Sequence, residues 1–167
     1  LYGMALEACV QSIASNNDRL LEAMERALFL KPLTNPAKLM AQTGDKNSAV
    51  LYPYLNDAKP SRRRIAARFY LSAEQHPEFD AIEQLARDPD EEIRQWVAEK
   101  LAANVDEEPQ RKLLFALLGD SATEVRVKAL KSLAVRPNEE IYGKLVVLLK
   151  DPDAAIRAAA VEAFAHE

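Results

Sequence analysis

Leu85-Ala86-Arg87-Asp88-Pro89-Asp90-Glu91-Glu92-Ile93-Arg94-Gln95-Trp96-Val97-Ala98-Glu99-Lys100-Leu101 decides the architecture, because the chain repeats it. The pattern returns as Leu117-Leu118-Gly119-Asp120 through Val125-Arg126 to Leu133. It returns again as Leu148-Leu149-Lys150-Asp151 through Ile156-Arg157 to Phe164. Asp88, Asp120 and Asp151 stand 32 and 31 residues apart, and a weaker copy begins 31 residues upstream at Tyr54-Leu55-Asn56-Asp57. Each copy sets an arginine six residues after its aspartate: Arg63, Arg94, Arg126 and Arg157. A period of this length is the mark of stacked supersecondary units.

The apolar residues keep the same register. Leu51, Ile82, Leu114 and Leu145 stand six residues before each aspartate, and Leu55, Ala86, Leu118 and Leu149 two before it. Nine after it come Ala66, Val97, Ala129 and Ala160, and thirteen after it Tyr70, Leu101, Leu133 and Phe164. Large residues alternating with small ones suit helices packed closely against neighbours. Each unit thus reads as a helix, a tight turn at the aspartate, and a second helix. The first helices are expected over 48–56, 78–87, 107–118 and 138–149, and the second over 61–74, 90–103, 122–135 and 153–165. Pro77, Pro109 and Pro137 fall at or near first-helix starts, where a missing N–H is cheap. Pro53 falls inside an expected helix and should kink or shorten it.

Residues 1–46 have no second copy. Leu6, Cys9, Val10 and Ile13 lie at helical spacing, a second helix is expected from Arg19 to about Leu30, and Pro32 and Pro36 end it. This stretch reads as an N-terminal helical cap over the apolar edge of the first unit. The remainder divides into four units over 47–76, 77–106, 107–137 and 138–167, as one continuous domain. The chain starts at Leu1 rather than Met, as a processed or trimmed piece would. It stops soon after Ala158-Ala159-Ala160-Val161 and Phe164 with no polar capping helix. Either more units follow, or this edge pairs with another chain as a homodimer.

Composition narrows the function classes. Few glycines and abundant Ala, Leu, Glu, Lys and Arg favour helix. A net charge of −4 argues against a broadly nucleic-acid-binding surface. One cysteine, Cys9, rules out an intramolecular disulfide framework or a cysteine-rich metal site and fits the cytoplasm. No apolar run approaches the roughly 20 residues that cross a bilayer.

The signature Asp-Pro-Asp-x-x-Ile/Val-Arg-x-x-Ala, nearly whole at 88–97 and 151–160 and diverged at 120–129, resembles that of HEAT repeats. The likeness is greatest to the short bacterial HEAT-like kind also found in phycobilin lyases, and it covers residues 47–167. It implies an all-α, right-handed α-solenoid of HEAT-like helical hairpins. It also implies a hydrogen-bonded ladder in which Asp57, Asp88, Asp120 and Asp151 pair with Arg63, Arg94, Arg126 and Arg157, within or between units. The first copy departs from the pattern, because Arg62 stands where the others have Ile93, Val125 and Ile156.

The residues left for function are those the period does not claim. Asp/Arg pairs recurring once per unit are scaffold, since catalysis needs a singular constellation in a pocket. His76 and His166 stand far apart without a ligand-spaced mate. There is no phosphate-cradling glycine loop, nucleophile elbow or paired-cysteine zinc pattern, so no cofactor and no enzyme activity is expected. Arg62, Arg64 and Arg68 make a local basic run. Trp96 aligns with Ile65, Lys128 and Ala159, so stacking does not require a large aromatic there. Lys100, Lys128 and Lys131 share the second helices, which line the concave surface in HEAT arrays. These seven residues are the candidate partner-binding set, on a mildly basic inner face. Glu78, Asp80, Glu83, Glu107, Glu108, Glu139 and Glu140 make the outer side acidic. An extended surface with little enclosed volume favours a protein partner. Two alternatives remain: nucleic-acid binding through Arg62, Arg64, Arg68 and Lys128, as in DNA glycosylases built from HEAT-like repeats, and a phycobilin-lyase-like assembly factor.

Overall fold

The computed structural model describes residues 51–72 and 78–164. The expected N-terminal cap, Cys9, His76 and His166 lie outside them. Every regular element among the described residues is helical. A 3-10 helix, Tyr52–Asn56, precedes α1 (Pro60–Ser72). Three helix pairs follow: α2 (Phe79–Leu85) with α3 (Glu91–Leu101), α4 (Glu108–Leu117) with α5 (Thr123–Leu133), and α6 (Glu139–Leu148) with α7 (Ala154–Phe164). A short 3-10 turn, Ala102–Asn104, extends α3. This is an all-α solenoid, and the chain forms two compact units, Leu1–Phe79 and Asp80–Glu167.

In the first unit the 3-10 helix packs on α1. Pro53 sits in its first turn, where the missing N–H removes no bond. Leu51, Leu55, Ile65, Ala66 and Phe69 are buried. Arg62 does not enter this core at the place its register assigns to isoleucine. Its Nη1 reaches Asp57 Oδ2 at 3.4 Å instead, and Ile65 and Phe69 fill the interior of α1.

In the second unit α4 lies against both α3 and α5, and α6 against α7, while the second helices α3, α5 and α7 run side by side. The period explains the core. Ile82, Leu114 and Leu145 are buried on first helices, and Ile93, Val125 and Ile156 on second helices. Val97, Ala129 and Ala160 have no exposed surface, so neighbouring second helices approach over small side chains there. The position two before the aspartate departs from this: Ala86 is buried, Leu118 only partly, and Leu149 is exposed.

Side chains cap the starts of α3, α6 and α7. Asp90 accepts the Glu92 N–H at 3.0 Å at the head of α3, and Asn138 accepts that of Ile141 at 2.9 Å at the head of α6. Asp153 accepts the Ala155 N–H at 2.9 Å at the head of α7. Each satisfies a donor that the first turn of a helix leaves without an intrahelical acceptor. Glu91 and Glu92 then face the positive end of the α3 dipole.

Candidate partner-binding face

The turn at each repeated aspartate is built the same way in all four copies. The carboxylate folds back on its own chain: Oδ1 accepts the N–H two residues on, from Lys59, Asp90, Ala122 and Asp153, each at 2.8 Å. The arginine six residues later does not meet that carboxylate. Its Nη1 donates to the aspartate's backbone carbonyl, at 3.0 Å for Arg63 to Asp57, 2.7 Å for Arg94 to Asp88, 2.9 Å for Arg126 to Asp120 and 2.8 Å for Arg157 to Asp151. A guanidinium at this spacing staples the start of the second helix to the end of the first.

The carboxylate–guanidinium contacts of Arg94 and Arg126 run between helix pairs. Arg94 donates through Nε and Nη2 to both oxygens of Asp120, at 2.7 and 2.9 Å, a bidentate fork. Its hydrogen bonds hold the Asp120 carboxyl below the usual carboxylate range, and Asp120 in turn raises Arg94. One unit on, Arg126 meets Asp153 and not Asp151, with Nη2 to Oδ2 at 2.8 Å. Thr123 Oγ1 donates to the same oxygen at 2.7 Å, and these contacts, with the Ala155 N–H, lower the Asp153 pKa; the Thr123 bond is the largest cause. The recipient has moved from the turn aspartate to the helix cap two residues later, a partner the motif alone does not announce.

The second-helix face carries a further set of pairs. Lys128 on α5 bonds Glu99 on α3, and Lys131 on α5 bonds Glu162 on α7 at 3.0 Å. Charge along this face therefore alternates, and both lysines are locally compensated. Glu99 and Glu162 were not among the expected site residues, although opposite charges 29 and 31 residues apart were visible in the sequence. Away from this face, Arg111 reaches Glu140 at 3.0 Å and Arg136 reaches Asp106 at 2.6 Å.

Trp96 is half-buried on α3, beside the buried Val97 and Ala98. Lys100, one helical turn on, is also half-buried, and loss of solvation pushes its ammonium pKa down. Its place corresponds to Ser132 on α5 and Ala163 on α7, both buried, so a long stem lies there over ground its neighbours keep covered. Trp96, Lys100, Lys128 and Lys131 thus share the α3–α5 part of one face. Arg62, Arg64 and Arg68 stand on α1 in the first unit, with Arg64 exposed and Arg68 half-buried.

Among the described residues there is no group of His, Cys, Asp or Glu that could hold a metal ion, and no helix long and apolar enough to cross a membrane. The turn carboxylates and guanidiniums are absorbed in capping and stapling, which is structural work.

Residues 111–166, about a third of the chain, match the family model described as HEAT repeats. A crystal structure of an engineered protein superposes with a TM-score of 0.63 over 96% of this chain and 78% of its own, at 20% identity. At that identity the likeness speaks for the fold. No curated protein matches the sequence. The chain is therefore similar to HEAT repeats over residues 111–166, within an all-α repeat fold. HEAT repeats generally mediate protein–protein interaction or scaffolding.

Proposed function

We propose that the chain is a non-catalytic binding module that holds a protein partner against the second-helix face of α3, α5 and α7. The observation that carries this reading is the row of side chains there that stacking does not need. Trp96 occupies a position filled by Lys128 and Ala159 in the other pairs, and Lys100 one filled by Ser132 and Ala163. A half-buried tryptophan beside a desolvated lysine is a good contact anchor, because little side-chain entropy remains to be lost on binding. The pairing of Lys128 with Glu99 and of Lys131 with Glu162 favours a partner surface of mixed charge over a phosphate backbone, which needs uncompensated cations. Within the first unit, considered by itself, Arg62, Arg64 and Arg68 on α1 are proposed as partner contacts in their own right.

The test is a photo-crosslinking residue placed at position 96 in the cell of origin, with one at Lys112, exposed on the first helix α4, as control. A discrete protein adduct at 96 that is absent at 112 is expected, and Lys100→Ala should weaken it. Equal adducts at both positions, or none with a salt-dependent shift of DNA or RNA instead, would overturn the reading.

A further inference from the structure

Gly143 stands in the middle of α6, where glycine weakens a helix relative to alanine. Nothing in its own chain asks for it: a Cβ at this position would meet no atom within 4 Å, and the residue is exposed. The matching places on α4 and α2 carry Lys112 and Asp80. One turn on, Val147 is 68% exposed, more than any other large apolar residue described. A bare notch and a bare isopropyl group therefore lie side by side on one helix.

Their exposure belongs to the outer side of the first helices and not to the end of the stack. Glu140, Gly143, Val147 and Lys150 follow at steps of three and four residues and form one ridge along α6 and its closing turn. The same four places on α4 hold Pro109, Lys112, Ala116 and Gly119, all exposed, although α4 has a helix pair on either side. On α4 the ridge carries the ion pair of Lys112 with Glu108. On α6 it is apolar at its centre and charged at its ends. Lys144 leaves the ridge, reaching back over Phe115 with Nζ 5.9 Å from the ring centre.

We infer that this ridge is a contact between two copies of the chain, their α6 helices antiparallel across a two-fold axis. Reversal about Leu145 exchanges Gly143 with Val147 and Glu140 with Lys150. Each Val147 then enters the notch at the other copy's Gly143, and each Lys150 meets the other copy's Glu140. Arg111 holds Oε2 of Glu140 at 3.0 Å, and the Glu140 side chain is still 57% exposed, so Oε1 can take a second cation. A parallel pairing would set Val147 on Val147 and like charges on like. An unrelated helix gains nothing from the ridge's complementarity to itself. One pair of ridges lies at the small end of specific interfaces, so the association is weak and reversible.

Sedimentation equilibrium of the whole chain, from micromolar to millimolar concentration, tests this. A monomer–dimer equilibrium is expected. Gly143→Leu should weaken it on the order of tenfold or more, while raising the melting temperature of the dilute protein. Those opposite movements separate a lost contact from a damaged fold. Lys150→Glu should weaken the dimer as well, and adding Glu140→Lys should restore most of the affinity. A chain that stays monomeric throughout, or a dimer that Gly143→Leu leaves intact, overturns the proposal. So does a dimer that Lys150→Glu weakens and the exchange of both charges fails to restore.

Discussion

Arg94 grips two successive turns at once. Its Nη1 bonds the Asp88 carbonyl at 2.7 Å, while Nε and Nη2 fork onto Asp120 at 2.7 and 2.9 Å. A planar guanidinium with donors on different edges can make both contacts without strain, and an ammonium cannot. The residue therefore sets the orientation of α3 within its own pair and the offset to the next.

Replacing Arg94 should be among the most damaging changes on the second helices. Arg94→Met strands the largely buried Asp120 carboxylate and is expected to cost about 2–4 kcal/mol. Arg94→Lys should recover less than half of that, because a point charge cannot span both turns. Urea unfolding of the three proteins measures it; equal midpoints for Lys and Arg would contradict the two-turn role.

The partner of Arg126 gives a sharper comparison. Asp153→Ala removes the acceptor for Arg126 and Thr123 and the cap on Ala155, whereas Asp151→Ala removes only the turn bond from Asp153. Asp153→Ala should lower Tm more than Asp151→Ala, although the repeated motif singles out Asp151. The reverse order in a thermal melt would show that Arg126 is held by the turn aspartate in solution.

Acid should loosen the contact between units. The Asp120 pKa is lower in the folded protein, chiefly through its hydrogen bonds from Arg94. A carboxylate with a lowered folded-state pKa contributes stability that is fully present above its unfolded value of about 3.9. That contribution is lost as pH falls through the lower folded value. Asp120→Asn should therefore be less stable than the parent at neutral pH and show a shallower loss of stability from about pH 5 downward. Parallel pH–stability curves would rule out this linkage.

The second-helix pairs should matter far less to folding. Lys128, Glu99, Lys131 and Glu162 are all substantially exposed, so each pair contributes at most about 1 kcal/mol and is screened by salt. Exchanging the charges of one pair, with Glu99→Lys and Lys128→Glu together, should leave Tm within a few degrees of the parent. The same exchange should weaken a partner bound to that face. A large drop in Tm would assign these residues to the scaffold.

How much of this could be read from the residues differs between fold and site. The eight helices expected in the repeat region were legible because local signals agree: Ile93, Val97 and Leu101 repeat at helical spacing, Asp90 caps, and Pro109 marks a start. That Pro53 would disturb the α-helical form was legible for the same reason, though not the 3-10 form of Tyr52–Asn56. The candidate face was legible in part, since aligning the copies isolates Trp96 and Lys100 as unclaimed by the stack. That Lys128 and Lys131 are neutralised by Glu99 and Glu162 was not, because it depends on how far α5 slides along α3 and α7.

The helical hairpin, its period and its buried register all follow from apolar spacing and capping within some thirty residues of chain. Which carboxylate each arginine meets depends on tertiary packing: Asp120 for Arg94, but Asp153 for Arg126. Partners 26 and 27 residues apart are brought together by the offset between neighbouring pairs. The acceptor for Arg126 lies two residues beyond the turn aspartate, at Asp153, and no local pattern records that offset.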